Sequence, residues 1–322
     1  MRCEAKVSRA VRSVSKYPKV AGPTPPVGQG AAKLPAPAQA AVDDLLVRLD
    51  RALPGRFEAF YVVGSACLGS FRLGRSDVDF VAIVAGARGD RVPGGLDRTE
   101  LARLRAVHLG RWAAALARDV ALHRRWPLVC NGSYLAPGSL AASPGEVTPL
   151  AGQVAGHFRA GARGGFEVNP VTWLTLAQHG IAVRGPTPDR LDIHIDPGEL
   201  RAWTLENLRG YWGEWARRAR RRTPGTAWAL PRRHAAWGVL GVSRLHYTLA
   251  TGEIASKVQA GQYAREALDR EWRPLIDDAL AFWRGGPPVA AYRRHPRRRI
   301  AAAAEFVTYV IEDRAGLEAR SV

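Results

Sequence analysis

Two apolar runs separated by a polar loop are the feature that most constrains the fold of this chain. Residues 57–63 form a β-rich run that ends in Gly64-Ser65, and residues 78–84 form a second run that begins within Asp77-Val78-Asp79. Runs of this kind, bounded by glycine, serine and aspartate, predict two neighbouring strands. Successive side chains of a strand point to opposite faces, so the carboxylates of Asp77 and Asp79 share one side. We therefore expect a sheet that presents a glycine turn and two carboxylates together.

The remaining patterns predict a sheet with helices in the first part of the chain and helices alone in the second. The first part contains helices 42–53, 99–122 and 173–178 and strands 127–134 and 181–183, with Thr99 as a cap and Gly180 as a stop. The second part contains helices 198–222, 232–250, 257–283 and 297–313. The fold class is therefore α+β, a mixed-sheet domain followed by an all-helical bundle. We expect a flexible, proline-containing tail at 1–37, the sheet domain at 38–195 and the helical domain at 196–322.

The charge of the chain admits two interpretations. The 322 residues carry a net charge of +18, almost all of it from arginine. Such a charge indicates either a polyanionic partner, since lysine and arginine contact phosphates, or the arginine-rich usage of a GC-rich genome. No apolar run is long enough to span a bilayer, and Cys3, Cys67 and Cys130 have no metal-ligand spacing. We expect a cytoplasmic monomer without a membrane partner.

The polar loop contains the residue types that bind a metal–nucleotide complex. Two carboxylates on one face can hold hard Mg²⁺ ions, which keep water and phosphate oxygens as further ligands. A glycine allows close approach of the backbone to phosphate, and the Ser65 hydroxyl and nearby N–H groups can donate to it. Ser76, directly before the first aspartate, is assigned to the same nucleotide site. Asp-x-Asp pairs and Gly-Ser turns also occur without function, but here both adjoin predicted strands, which favours the chemical interpretation.

This arrangement resembles the DNA polymerase β-type nucleotidyltransferase superfamily, and within it the aminoglycoside adenylyltransferases of the streptomycin/spectinomycin class. Further segments carry the resemblance over roughly residues 57–315: Asn169 to Ala177, Arg184-Gly185-Pro186, Ser243 to Tyr247, Thr251-Gly252-Glu253-Ile254-Ala255-Ser256-Lys257 and Glu305-Phe306-Val307. The resemblance implies an N-terminal nucleotidyltransferase domain and a helical C-terminal domain. It implies an enzyme that uses ATP and Mg²⁺ and transfers AMP to a hydroxyl of a small molecule, with antibiotic resistance as one outcome.

The resemblance also implies roles for individual residues. Asp77 and Asp79 match the metal ligands of the family, and Gly64 and Ser65 match its phosphate-binding turn. Lys257 matches the lysine of the helical domain that reaches the nucleotide phosphates. Composition favours Lys257 independently, because it is the only lysine after residue 33 in a chain that otherwise uses arginine. A compact ammonium differs in geometry from a guanidinium, although chance can also leave a single lysine.

Two departures from the family leave the acceptor and the catalysis open. The family has a carboxylate base on a later strand, but residues 127–134 contain no acid, and the expected position falls at Val129 or Asn131. Glu167 is the nearest substitute, with a surface glutamate as the alternative. An acidic stretch of the family, suited to polycationic drugs, is replaced here by Arg232-Arg233-His234.

These departures favour a neutral or anionic acceptor and predict poor activity on streptomycin and spectinomycin. They also leave two rival functions. One is a nucleotide-binding or regulatory protein without turnover, which the missing carboxylate favours. The other is a nucleotidyltransferase acting on RNA or protein, which the charge suggests, although a nucleic-acid partner is not favoured.

Overall fold

The computed structural model describes residues 33–86, 95–121, 128–161, 167–221 and 231–318. A six-stranded mixed sheet forms the first part of the molecule, with strand order β5-β4-β3-β2-β1-β6. The strands are β1 Phe57–Val63, β2 Val78–Val84, β3 Cys130–Leu135, β4 Ala151–Val154, β5 His157–Ala160 and β6 Ile181–Arg184. Strands β2 and β3 are parallel, with Asp79 opposite Asn131, and the other pairs are antiparallel.

Both faces of the sheet are covered, which explains why β1 and β2 are nearly continuous apolar runs. Helices α1 (Ala36–Ala52) and α2 (Arg98–Ala121) pack on one face, where Phe60, Phe80 and Tyr134 are fully buried. Helix α3 (Pro170–His179) packs on the other face through Trp173 and Leu176. Because of strand alternation, Asp79 and Asn131 lie on this second face.

The second part of the described chain is a helical bundle. Its helices are α4 Pro197–Asn207, a π-helical turn Leu208–Trp212, α5 Gly213–Arg220, α6 Arg232–Thr251, α7 Lys257–Ala267, α8 Arg273–Arg284 and α9 Pro296–Glu318. Helix α6 lies at its centre and packs against α7, α8 and α9. One stripe of this helix faces the core, with Val239, Val242 and Leu249 buried and Leu245 partly buried. Among the helices of the described ranges, none is long and apolar enough to cross a membrane.

The fold class and the two central strands are confirmed, while several element boundaries differ from prediction. Helix α1 begins at Ala36, inside the predicted tail, because Pro37 lies in its first turn, where a missing N–H costs nothing. Thr99 is not the cap of α2: the Asp97 carboxylate accepts from Glu100 N, and Glu100 reaches back to Asp97 N. Residues 1–32 of the predicted tail lie outside the described residues.

Two predicted helices are divided, and one hairpin is new. Segment 198–222 becomes α4, the π turn and α5, and segment 257–283 becomes α7 and α8 around a short 3-10 turn at Arg270–Trp272. The hairpin β4–β5 was not predicted, because its strands are only four residues long and the outer strand is largely exposed.

The polar loop that separates β1 from β2 contacts the helical part of the chain. Ile254, which precedes α7, is 2% exposed and clusters with apolar side chains of the sheet part and α4: Leu68, Val171, Leu174 and Leu200. The guanidinium of Arg75 lies 5.1 Å from the centroid of the Phe282 ring of α8. The loop that carries the predicted site is therefore held by the helical bundle.

Candidate active site

The two aspartates lie at the start of β2, where burial disfavours the charged form of both. Burial and the neighbouring Asp77 carboxylate raise the pKa of Asp79 to about 7, against the opposing influence of Lys257 and Arg244. Burial also raises the pKa of Asp77, while a hydrogen bond from Asn131 and the charge of Lys257 act to lower it. Two neighbouring carboxylates in a desolvated site disfavour each other's charged form. A cation bound between them would stabilise both charges.

Gly64 allows Asp79 to occupy its position. The residue has a φ of +69°, and a Cβ at this position would lie 2.3 Å from Asp79 Oδ2. The Gly64 carbonyl accepts from Leu68 N at 3.1 Å, and Ser65 O accepts from Ser70 N at 3.0 Å. A glycine is therefore needed at this position because the Asp79 carboxylate lies where a Cβ would be. Contact of Gly64 with phosphate remains a prediction, and so does contact of the half-buried Ser65 with phosphate.

Ser76 closes the loop immediately before Asp77. Its Oγ accepts from Arg72 N at 3.0 Å, and its own N–H donates to Arg72 O at 2.8 Å. Ser76 is buried, so these bonds fix the entry of the chain into β2. The described contacts give Ser76 a structural role, and nucleotide binding by its hydroxyl remains a prediction.

Lys257 and Arg244 bring positive charge from the helical bundle to the two aspartates. Lys257 is the first residue of α7, directly after Ser256, which forms a capping box with Gln259. Its Nζ lies 4.1 Å from the centroid of the Trp283 ring. Burial and the charge of Arg244 lower the pKa of Lys257 to about 8, while Asp79 and Asp77 oppose this change.

Arg244 is a member of the site that was not assigned from sequence. Its Nε donates to Ala255 O at 3.0 Å, which ties α6 to the segment before Lys257. Burial lowers its pKa, and the Asp79 carboxylate has the largest opposing effect. The available signal was its place in the Ser243-Arg244 string of the resembling segments.

Glu167 is not a surface residue, so that interpretation is wrong. It is 8% exposed and lies just before Asn169, whose side chain accepts from Thr172 N and caps α3. Burial raises the pKa of Glu167 well above its usual value, and the charges of Asp79 and Asp77 add to the rise. Glu167 therefore belongs to the electrostatic surroundings of the two aspartates.

Asn131 occupies the strand position opposite Asp79, where an acid was expected. Its Nδ2 donates to Asp77 Oδ2 at 3.0 Å, and its Oδ1 accepts from Ala155 N at 3.0 Å. Val129, the other expected position, precedes β3, and its carbonyl accepts from Val78 N. Neither residue can accept a proton from a substrate hydroxyl.

The residues present fit a divalent cation that is only partly held by protein. Asp77 Oδ1 is buried and has no hydrogen-bond partner, which leaves one carboxylate oxygen available. Within the described ranges, no three side chains of His, Cys, Asp or Glu are close enough to hold a metal alone. A Mg²⁺ ion at Asp77 and Asp79 would therefore take its other ligands from phosphate oxygens and water, as this ion commonly does.

The Arg232-Arg233-His234 stretch carries less free positive charge than its sequence suggests. Arg232 Nη2 lies 3.2 Å from Asp278 Oδ1, and Arg232 Nη1 donates to Gly286 O at 2.7 Å. Burial and the adjacent Arg233 lower the pKa of His234 to about 4, so this imidazole is neutral at pH 7. The expected dense positive charge is wrong for these two residues, because one is paired inside the bundle and the other is desolvated.

Comparison with known proteins gives a partial family match and a fold match. Residues 231–312 match the family described as aminoglycoside adenylyltransferase, C-terminal domain. The crystal structure of spectinomycin adenyltransferase AAD(9) from Enterococcus faecialis with ATP and spectinomycin superposes with a TM-score of 0.59. In this C-terminal part the chain is similar to the aminoglycoside adenylyltransferases.

The extent of these matches differs. The AAD(9) match covers 85% of this chain and 99% of that chain, at 12% sequence identity, so this likeness concerns the fold. The family match covers α6 to α8 and most of α9, which include Arg244 and Lys257. No curated protein matches the chain in sequence.

Proposed function

We propose that the protein is an ATP- and Mg²⁺-dependent adenylyltransferase that transfers AMP to a hydroxyl of a small molecule. The proposal rests on one observation: two carboxylates of the sheet part lie near two cationic side chains of the helical bundle. Asp79 lies within electrostatic reach of Asp77, Lys257 and Arg244, and all four side chains have shifted pKa values. Groups with mutually perturbed pKa values in one site are typical of catalytic centres.

These four residues would have separate roles in binding and transfer. Lys257 and Arg244 would bind the triphosphate, and Asp77 and Asp79 would hold the cation that neutralises the phosphates and polarises the reacting phosphorus. The acceptor oxygen attacks the α-phosphorus, the bond from this phosphorus to the bridging oxygen breaks, and pyrophosphate leaves. Oriented groups on both sides of the triphosphate reduce the motion needed to reach the transition state.

Glu167 is the proposed acceptor of the hydroxyl proton. It is a buried carboxyl near the two aspartates, and its charged form is disfavoured by burial and by their charges. A cation held by the aspartates would offset the second cause and leave Glu167 able to ionise. A carboxylate with a raised pKa is a stronger base once ionised, which suits removal of a hydroxyl proton.

A neutral or anionic acceptor fits the chain better than a polycationic one. The stretch from Arg232 to His234 contains no carboxylate, and Asp278 is already paired with Arg232 and Arg299. A polycation would find no compensating negative charge in this stretch, so its desolvation would remain uncompensated.

Nucleotide binding without turnover is the second candidate, favoured by one observation. Asn131 stands where a proton acceptor was expected, and its amide is already bonded on both sides. In this alternative the cation and triphosphate sites are kept for binding, and Glu167 has no catalytic role.

The test combines ATP binding with pyrophosphate release across a panel of hydroxyl acceptors. Asp77→Asn and Asp79→Asn should each lose Mg²⁺-dependent ATP binding, whereas Asp43→Asn, a surface carboxylate on α1, should behave as wild type. Glu167→Gln should keep ATP binding and lose transfer. If no acceptor yields pyrophosphate while ATP still binds, the binding-only alternative holds; if both aspartate variants bind ATP normally, the proposed site is wrong.

A further inference from the structure

The amide of Asn131 links the unpredicted β4–β5 hairpin to Asp77. Asn131 is 6% exposed and lies on β3, between β2 and β4. Its Oδ1 accepts from Ala155 N at 3.0 Å, and its Nδ2 donates to Asp77 Oδ2 at 3.0 Å. The hairpin turn, β3 and Asp77, which directly precedes β2, are thus joined by two hydrogen bonds through one side chain.

These two bonds fix which end of the amide faces the aspartate. A backbone N–H can only donate, so the atom facing Ala155 must be the carbonyl oxygen of Asn131. The NH₂ group must then face Asp77, which accepts through Oδ2. An aspartate at position 131 could still accept from Ala155 N but would present an oxygen instead of a donor to Asp77.

The turn that supplies the N–H has an unusual backbone conformation. Ala155 has a φ of +49°, the only positive value outside glycine in the described part of the chain, and Gly156 follows with +84°. An L-residue in this left-handed region is strained, and such strain persists only where the surroundings impose it. The conformation aims Ala155 N at Asn131.

We propose that Asn131 is a positioning residue that holds Asp77 by one oxygen and leaves the other, Oδ1, directed at the cation. Asp77 Oδ1 is the buried oxygen without a hydrogen-bond partner, whereas Oδ2 is bound by the amide. Asp77 therefore binds a cation through a single oxygen, in an orientation set by the hairpin. This inference rests on the proposed function, because it assigns the cation to the same aspartates.

The inference explains why an amide stands where a base was expected. A carboxylate at position 131 would place a third negatively charged group beside Asp77 and Asp79 and would remove the donor that orients Asp77. Neighbours that hydrogen-bond to a metal ligand commonly change metal affinity by about 10- to 100-fold when they are lost. We expect a loss of this size in Asn131→Ala and in Asn131→Asp, although Asp preserves the bond to Ala155.

The experiment measures Mn²⁺ binding by electron paramagnetic resonance, with and without a non-hydrolysable ATP analogue. It uses the full chain and the variants Asn131→Ala, Asn131→Asp and Asp79→Asn. Ser133→Ala is the matched control, since Ser133 is a buried polar residue two positions along β3 on the same face. Circular dichroism melting curves identify variants that fail to fold.

The outcomes separate this inference from the proposed function. Weaker Mn²⁺ binding in both Asn131 variants, with wild-type behaviour in Ser133→Ala, supports the positioning role. If Asn131→Asp folds and binds Mn²⁺ as tightly as wild type, the donor to Asp77 is unnecessary and the inference is overturned while the function stands. If Asp79→Asn also binds as wild type, the proposed function itself fails. A misfolded Asn131→Ala leaves Asn131→Asp to decide.

Discussion

Gly64 offers a sharp test of the site, because a single added methyl group would collide with Asp79. In Gly64→Ala the new Cβ would lie 2.3 Å from Asp79 Oδ2, 3.1 Å from its Cγ and 3.2 Å from its Cβ. Carbon–oxygen contacts are normally about 3.3 Å or longer, so the carboxylate must move by about 1 Å. A displacement of that size in a catalytic group can reduce the rate by about 100-fold.

Gly69 is a matched control in the same loop. It has a φ of +63°, but an added Cβ there would meet no atom within 4 Å. Both variants place alanine in the left-handed region, which costs roughly 1–2 kcal/mol of native-state strain. Part of this cost is offset because alanine has less conformational freedom than glycine in the unfolded chain. The left-handed strain should therefore be similar in the two variants, and only Gly64→Ala should displace Asp79.

The assay pairs urea denaturation with Mg²⁺-dependent ATP binding and pyrophosphate release. We expect Gly69→Ala to stay within a few-fold of the wild-type kcat/KM and Gly64→Ala to fall by about 100-fold, or roughly 2.7 kcal/mol of transition-state stabilisation. Equal activity in the two folded variants would refute the argument that Gly64 is needed for the position of Asp79.

Four further predictions follow from the described contacts. Lys257→Ala should weaken ATP binding in isothermal titration, and Lys257→Arg should restore it only in part, because a planar guanidinium cannot reproduce the ammonium above Trp283; wild-type affinity in Lys257→Ala would contradict this. With rising pH, metal–nucleotide binding should increase as Asp79 ionises near pH 7 and decrease as Lys257 loses its proton near pH 8. Lys257→Arg should remove the decrease at alkaline pH. A flat binding profile from pH 6 to 9 would count against both assignments. Ala155→Gly should raise the free energy of unfolding by about 0.5–1 kcal/mol in urea, because it removes left-handed strain at an entropic cost smaller than the strain. Expression in a sensitive bacterial host should give little protection against streptomycin or spectinomycin, and a large rise in inhibitory concentration that disappears in Asp79→Ala would show this expectation to be wrong.

The sequence predicted the parts of the site that follow from local periodicity. Strand alternation is a property of neighbouring residues, so β2 and the pairing of Asp77 with Asp79 could be read directly, and β1 and β2 have their predicted bounds. The isolation of Lys257 among arginines also marked a residue that the structure brings near the two aspartates. These signals depend on composition and spacing rather than on tertiary contacts.

The rest depends on contacts between distant segments. Asn131 looked like a missing acid, and only the pairing of β3 with β2 and the hairpin beside it reveal its two hydrogen bonds. Glu167 looked like a surface residue because nothing within its own segment indicates that the fold encloses it. Arg232 and His234 looked like free charge because their partner and their burial come from other parts of the chain.

The loop between β1 and β2 both carries residues of the candidate site and contacts the helical bundle. This double role limits how the two parts of the molecule can be exchanged between proteins. Leu68 packs with Ile254, and Arg75 stacks on Phe282, within the same loop that carries Gly64, Ser76 and Asp77. A chimaera that grafts a foreign helical bundle onto this sheet would replace Ile254 and Phe282 and release the loop. Transplanting the bundle should therefore succeed only when residues 64–77 are exchanged with it, so the unit of exchange is the bundle together with its loop.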